Sequence, residues 1–239
     1  MNPLAYAALA AMASVAGALV VIRRSPGGVR ALDLALAFGA GFMLAVVLLG
    51  MLPAVFAEDR SPTAWLLGGF LAVHLTQHVL TPHFHFGEET HHVAASAGVT
   101  AALGLSLHAF FDGVAIAGGF RVSGELGLLL FLAVFVHKLP EGLSIASLSL
   151  AGGQSPARAF GLSLVPAVAT LLGGLLTGRV EALATHGLAL AAGVTLYVAG
   201  SNLVPALQAR RDPVTVLTFV GGVLAYLGSA VLLHGMGAP

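Results

Sequence analysis

The sequence predicts an all-α polytopic membrane protein, because it is very apolar and because its apolar residues form runs of bilayer length. Of its 239 residues, 58% are hydrophobic and only 8% are charged, whereas about 25% of the residues in a soluble domain are charged. The mean hydropathy is +0.97. A bilayer core of about 30 Å is crossed by about 20 apolar residues as a helix, so each such run is a candidate transmembrane helix.

Eight runs of this kind follow one another along the chain. The breaks between them carry polar residues, Gly and Pro, and none is long enough for a soluble domain. We therefore expect a single integral membrane domain over residues 1–239. The eight predicted transmembrane helices cover residues 4–22, 32–56, 63–82, 94–118, 124–150, 157–178, 186–206 and 214–235.

The arginines in the breaks predict the orientation, since Lys and Arg are enriched on the cytoplasmic side of a membrane. The loops after the first, third, fifth and seventh spans hold Arg23, Arg24, Arg30, Arg158, Arg210 and Arg211. The opposite side holds Arg60, Arg121 and Arg179. Both termini are therefore expected on the non-cytoplasmic side.

Charge and cysteine content exclude several function classes. The formal net charge is zero with His neutral, and the chain shows no basic patch, so no nucleic-acid partner is expected. The absence of cysteine excludes disulfides and thiolate metal ligands. The partner that composition itself implies is the lipid bilayer.

Two short motifs place ionisable residues inside the apolar runs. His108 and Asp112 lie one helical turn apart in the fourth span, as do His137 and Glu141 in the fifth. At that spacing both side chains share one face of a helix. Ionisable groups at membrane depth are costly, so they indicate a functional site. Imidazole and carboxylate groups are typical ligands of a divalent transition metal.

The link between these two spans, around residues 121–124, is short, so the fourth and fifth helices are expected to be antiparallel neighbours. Facing each other, they offer two imidazoles and two carboxylates for a four- or five-coordinate metal. The alternative is an interhelical hydrogen-bond network in which each histidine pairs with an acid and no metal binds. The repetition of the pattern on adjacent spans favours a metal site between helices 4 and 5.

The two motifs resemble the fourth and fifth spans of the ZIP family of divalent metal transporters. They read His-x-x-x-Asp-Gly at 108–113 and His-Lys-x-Pro-Glu-Gly at 137–142. Weaker similarity to the second and seventh spans of that family lies at 41–53 and 192–205. The resemblance implies eight spans, outward-facing termini and residence in a plasma membrane, here interpreted as a bacterial inner membrane.

Departures from the resemblance concern the second metal that many family members bind. Ala109 and Lys138 stand where such members carry a polar and an acidic ligand, and Val165 stands where they carry a glutamate. We therefore expect one metal rather than two. The Lys138 ammonium is expected in the place of the second cation, where it neutralises Asp112 or Glu141.

Three further positions bear on the same resemblance. Met43 matches a position at which some members supply a thioether ligand, which suits zinc or cadmium, and simple packing is the equal alternative. Asn202 stands where the family carries an acidic residue, and Gly50 stands where it carries a polar one. The chemistry at the entrance or exit is therefore expected to differ.

A histidine-rich stretch follows the third span and includes a loop at about residues 83–92. Its imidazoles and acids indicate either a place that receives, buffers or senses metal leaving the pore or a solvated loop with incidental affinity. The residues concerned are His74, His78, His83, His85, His91 and His92, with Glu88 and Glu89.

Together, the residues and the resemblance predict transmembrane transport of divalent transition-metal ions into the cytoplasm, without enzymatic activity. The metal, zinc in the first place with cadmium, iron or manganese as alternatives, is then a substrate, and no cofactor is expected. The sequence leaves open whether the chain forms a homodimer. The alternatives are an intramembrane metal-dependent hydrolase, a metal exporter and a metal sensor.

Overall fold

The computed structural model describes residues 1–23, 29–58, 62–80, 96–208 and 212–235. The regular structure of these residues is entirely helical. The helices are α1 (Pro3–Arg23), α2 (Val29–Ala45, continued by a π-helical stretch Val46–Met51 and by Leu52–Glu58), α3 (Pro62–Leu75, continued by a π-helical stretch Thr76–Leu80), α4 (Ala97–Val122), α5 (Gly124–Ala151), α6 (Pro156–Thr177), α7 (Glu181–Tyr197, continued by a π-helical stretch Val198–Leu203 and by Val204–Gln208) and α8 (Pro213–Gly235).

Seven helices are long and apolar enough to cross a membrane within the part of the chain that the structure describes. They are all of the helices above except α3, whose α-helical part Pro62–Leu75 has 14 residues. The expectation of an all-α polytopic membrane protein is confirmed. The count of eight spans stays a prediction, because the residues that follow Leu80 lie outside the described part.

The helices pack as two bundles. The first bundle contains α1, α4, α5 and α6, and the second contains α2, α3, α7 and α8. In the second bundle α2 packs on α8 and α3 packs on α7. The bundles meet where α4 contacts α7 and where α2 contacts α5. The largest apolar core lies along this junction and includes Met43, Phe111, Leu130 and Val194.

Reciprocal glycine pairs bring the helices of each bundle into backbone contact. At each of these glycines an added Cβ would collide with a backbone atom of the facing helix, and small residues of this kind allow close packing in lipid, where apolar side chains gain little by associating. The helices inside each bundle are therefore locked together by backbone contact. The pairs are Gly17 with Gly142 (α1 and α5), Gly113 with Gly173 (α4 and α6), Gly41 with Gly222 (α2 and α8) and Gly69 with Gly193 (α3 and α7).

An internal repeat relates α2 to α7. Gly41, the π-helical stretch Val46–Met51 and Pro53 recur at a constant offset as Gly193, Val198–Leu203 and Pro205. A proline lacks the N–H that would bond the preceding turn, and a π-helical stretch widens a helix by one residue and is frequent at functional sites. Both irregular segments belong to the second bundle.

Candidate metal centre

The link between α4 and α5 sets the geometry of the centre. Ser123 alone separates the two helices, and its hydroxyl accepts a hydrogen bond from the Leu126 N–H at 3.0 Å, which caps α5. The Ser123 N–H in turn donates to the Gly119 carbonyl, which closes α4. So short a link makes α4 and α5 antiparallel neighbours, as the sequence predicts.

The predicted ligands come together at the α4–α5 interface. His108, Asp112, His137 and Glu141 are all buried, and one ligand atom from each lies within 4.8 Å of all the others. Asp112 Oδ2 is central, at 3.5 Å from His108 Nε2 and 3.4 Å from His137 Nε2. The arrangement of two imidazoles and two carboxylates is the donor set that zinc and similar ions take in proteins.

The His137 ring is oriented by its own helix. Its Nδ1–H donates to the Ala133 carbonyl at 2.7 Å, so in the neutral ring the lone pair of Nε2 points toward Asp112. Metal-binding histidines are held in the same way, through a hydrogen bond from the other ring nitrogen. A lone pair that faces a carboxylate oxygen is satisfied by a cation or a proton between them. His137 is therefore prepared to bind a cation.

Lys138, the only lysine of the chain, completes the centre. Its side chain is fully buried, and its Nζ lies 2.9 Å from Asp112 Oδ2 and 2.9 Å from both carboxylate oxygens of Glu141. The expectation that this ammonium neutralises the site carboxylates is confirmed. Paired burial of this kind is the usual way in which a protein tolerates charges away from water.

Helix α2 packs against α5 beside His137. A Cβ placed on Gly39 would lie 3.4 Å from His137 Cβ, and Met43 follows one turn later on the same face of α2. Met43 is 1% exposed and packs in the core along the junction of the bundles. Its role as a thioether ligand stays a prediction.

The other departures from the family pattern are apolar or amide side chains in the structure. Ala109 is buried and Val165 is 39% exposed on α6. Neither adds a ligand, because neither side chain has a donor atom. Asn202 Nδ2 donates to Gln77 Oε1 at 2.9 Å, which joins the π-helical stretches of α7 and α3. Gln77 was not among the predicted site residues, although an amide inside an apolar run was a signal for it.

A cavity of about 610 Å³ opens where α2 and α4 end and α7 begins. Its walls include Val55, Gly118, Arg121 and Thr185. Gly118 lies about two turns along α4 from Asp112. On the orientation predicted from the arginines, this cavity faces the non-cytoplasmic side.

The histidine-rich stretch is described only in part. His74 and His78 lie one turn apart on α3 with ring centroids 4.3 Å apart, and His78 Nδ1 donates to the His74 carbonyl at 2.9 Å. Tyr197 of α7 contacts both rings. The loop at 83–92 lies outside the described residues, so its metal-handling role stays a prediction.

Apolar helices of bilayer length, packed around a buried imidazole–carboxylate cluster, define an integral membrane protein. A family model described as "ZIP Zinc transporter" matches residues 87–234. The chain belongs to this family, the ZIP family of divalent metal transporters, and the resemblance read from the two motifs is confirmed.

Individual relatives agree with the family match. The chain is 36% identical to the human zinc transporter ZIP4 over 134 residues, which cover 55% of this chain and 21% of the relative. It is 31% identical to zinc transporter ZIP9-B of Xenopus laevis over 153 residues, 59% of this chain and 50% of the relative. With zinc transporter ZIP13 of Pongo abelii it shares 26% identity over 215 residues, 80% of this chain and 63% of the relative. The chain thus spans less than two thirds of each relative's length.

Proposed function

We propose that this chain carries divalent transition-metal ions, zinc in the first place, across the membrane through the centre formed by His108, Asp112, His137 and Glu141. The observation that carries the proposal is the burial of all four side chains with ligand atoms within 4.8 Å of one another. The zinc transporters to which the chain is similar support the same reading.

The donor set suits transport better than permanent storage. An ion that enters the apolar core loses its hydration shell, and buried ligands must replace that shell. Imidazole and carboxylate groups do so without the thiolates that close many structural zinc sites. The bound ion therefore stays exchangeable, as a transported ion must.

The centre holds one metal ion. Lys138 Nζ occupies the space between Asp112 and Glu141, at 2.9 Å from each. A second divalent cation there would face the ammonium at close range, and like charges repel strongly where water is excluded. Ala109 supplies no further ligand, so the chain lacks the means to compensate two ions at these positions.

The ion enters from the non-cytoplasmic cavity and leaves into the cytoplasm of a bacterium whose plasma membrane holds the protein. The arginine distribution and the position of Arg121, Gly118 and Val55 around the cavity support this direction. The two glycine-locked bundles meet mainly through side chains, as at Gly118, where an added Cβ would meet the Leu188 side chain at 3.4 Å. They are therefore suited to move relative to each other as the ion passes.

Zinc flux into liposomes tests the proposal. Purified protein is reconstituted with a zinc-sensitive dye inside, and His108→Ala and Glu141→Ala are compared with His234→Ala. His234 is an exposed histidine at the end of α8, 3.4 Å from Glu125, so its loss controls for the removal of an imidazole. Wild-type protein and His234→Ala should carry zinc, and both site variants should not. Equal flux in all of them would refute the site.

A further inference from the structure

We infer that Lys138 is a permanently attached countercharge that lets the metal-free centre change sides of the membrane without any bound cation. The inference rests on the proposed transport function and extends it to the return half of the cycle. It starts from the position of Lys138 Nζ, which contacts carboxylates of both α4 and α5.

The charge count of the centre gives the first step. With both carboxylates ionised and both imidazoles neutral, Asp112 and Glu141 contribute two negative charges, and Lys138, which contacts both, contributes one positive charge. The empty centre therefore carries one net negative charge with Lys138 and would carry two without it. Unpaired charge at membrane depth is costly. A metal-free centre without Lys138 would therefore face a much higher free-energy barrier to crossing the membrane than one with Lys138.

The attachment of the ammonium gives the second step. Lys138 and Glu141 lie on α5, and Asp112 lies on α4, so all three belong to the first bundle. Gly113 and Gly142, each next to one of these carboxylates, press backbone against backbone on α6 and α1. The ammonium therefore travels with the carboxylates and cannot be lost to solvent at either side.

Loading and release of the metal give the third step. The imidazoles of His108 and His137 approach one carboxylate oxygen of Asp112 at 3.5 and 3.4 Å, and Lys138 Nζ approaches the same oxygen at 2.9 Å. Metal and ammonium thus compete for Asp112 Oδ2. A divalent ion displaces the ammonium toward Glu141, which the flexible lysine stem permits. When the ion leaves, the ammonium returns to its contact with Asp112. No covalent bond is made or broken in the process.

Carrier kinetics separate this role from metal binding and from folding. Net zinc uptake requires the empty centre to return, whereas exchange of labelled zinc for unlabelled zinc returns the centre loaded. We compare the ratio of net uptake to exchange in liposomes for wild type and Lys138→Met. The matched control is Arg179→Gln, which removes an exposed positive charge between α6 and α7. If Lys138 is needed for the return of the empty centre, the ratio of net uptake to exchange should be at least about tenfold lower in Lys138→Met than in wild type. In Arg179→Gln this ratio should be unchanged.

A charge-conserving variant separates the charge of Lys138 from its packing. Lys138→Arg keeps a positive charge beside Asp112 and Glu141 and leaves all four proposed ligands in place. Its ratio of net uptake to exchange should stay within about twofold of wild type, even where both rates fall. An unchanged ratio in Lys138→Met, a parallel loss of exchange and net uptake in that variant, or a ratio as low in Lys138→Arg as in Lys138→Met would each overturn the inference. Absence of zinc flux in wild type would instead refute the proposed function.

Discussion

Lys138 Nζ lies 2.9 Å from Asp112 Oδ2 across the interface of α4 and α5. The contact places a cation of the protein itself where the imidazoles of His108 and His137 also converge. An ammonium of the protein thus lies among the predicted metal ligands. On the proposed function, a metal ion that binds here has to displace this ammonium from Asp112.

Removal of that ammonium should change metal binding in a defined direction. Lys138→Asp, alone or with Ala109→Asn, replaces a positive charge by ligand atoms between the two carboxylates, so zinc should bind with a second equivalent or with at least about tenfold higher affinity. Isothermal titration calorimetry of the detergent-solubilised protein measures both quantities. Unchanged stoichiometry and affinity in the double variant would count against the idea that the Lys138 ammonium takes the place of a second metal ion.

The histidine-rich loop should modulate transport rather than create it. His83, His85, His91 and His92 lie between the predicted apolar spans, so they cannot replace hydration along the membrane path. Their joint replacement by Ser should leave at least about half of the zinc flux in liposomes and change its concentration dependence. Loss of flux as complete as in Glu141→Ala, with the protein still folded, would contradict the division into centre and loop.

The chemistry of Met43 should show itself in metal preference. Met43→Leu conserves volume and usually costs less than about 1.5 kcal/mol, while it removes the soft thioether whose ligation is predicted. If the thioether binds the ion, cadmium affinity should fall more than zinc affinity. Competition titrations with the two metals measure the ratio; an unaltered ratio would leave Met43 as a packing residue.

Two neighbouring glycines of α8 allow a matched test of the helix locks. An added Cβ at Gly222 collides with the Phe38 carbonyl oxygen, whereas at Gly221 it meets nothing within 4 Å. Gly222→Ala should destabilise the protein by about 1–3 kcal/mol through overpacking, and Gly221→Ala should be neutral or slightly stabilising. Thermal unfolding in detergent compares them, and equal melting temperatures would argue against the lock between α2 and α8.

The sequence predicted the helical class and the core of the site because both depend on short-range spacing. Runs of bilayer length identify membrane helices directly, and the one-turn spacing of His108 with Asp112, and of His137 with Glu141, fixes which face each pair shares. These inferences need only the local geometry of one helix or one short link. The neutralisation of Asp112 or Glu141 by Lys138 was expected from the family resemblance instead, and the structure shows its ammonium in contact with both.

Contacts between distant parts of the chain could not be predicted in this way. The bond between Gln77 and Asn202 joins residues 125 positions apart, and nothing in either helix alone indicates the partner. The approach of Gly39 to His137 is likewise a product of how the two bundles meet. The proposed ligation by Met43 depends on that same meeting, so spacing along the sequence leaves it open.

The single-residue link at Ser123 has a consequence for how this protein can vary. With no slack between α4 and α5, the lengths of these helices between Asp112 and Lys138 set which side chains face each other. One inserted residue would rotate the rest of α5 by about 100° and turn Lys138 and Glu141 away from Asp112. Substitutions can therefore accumulate around this hairpin, but a change in its length would disassemble the centre in a single step.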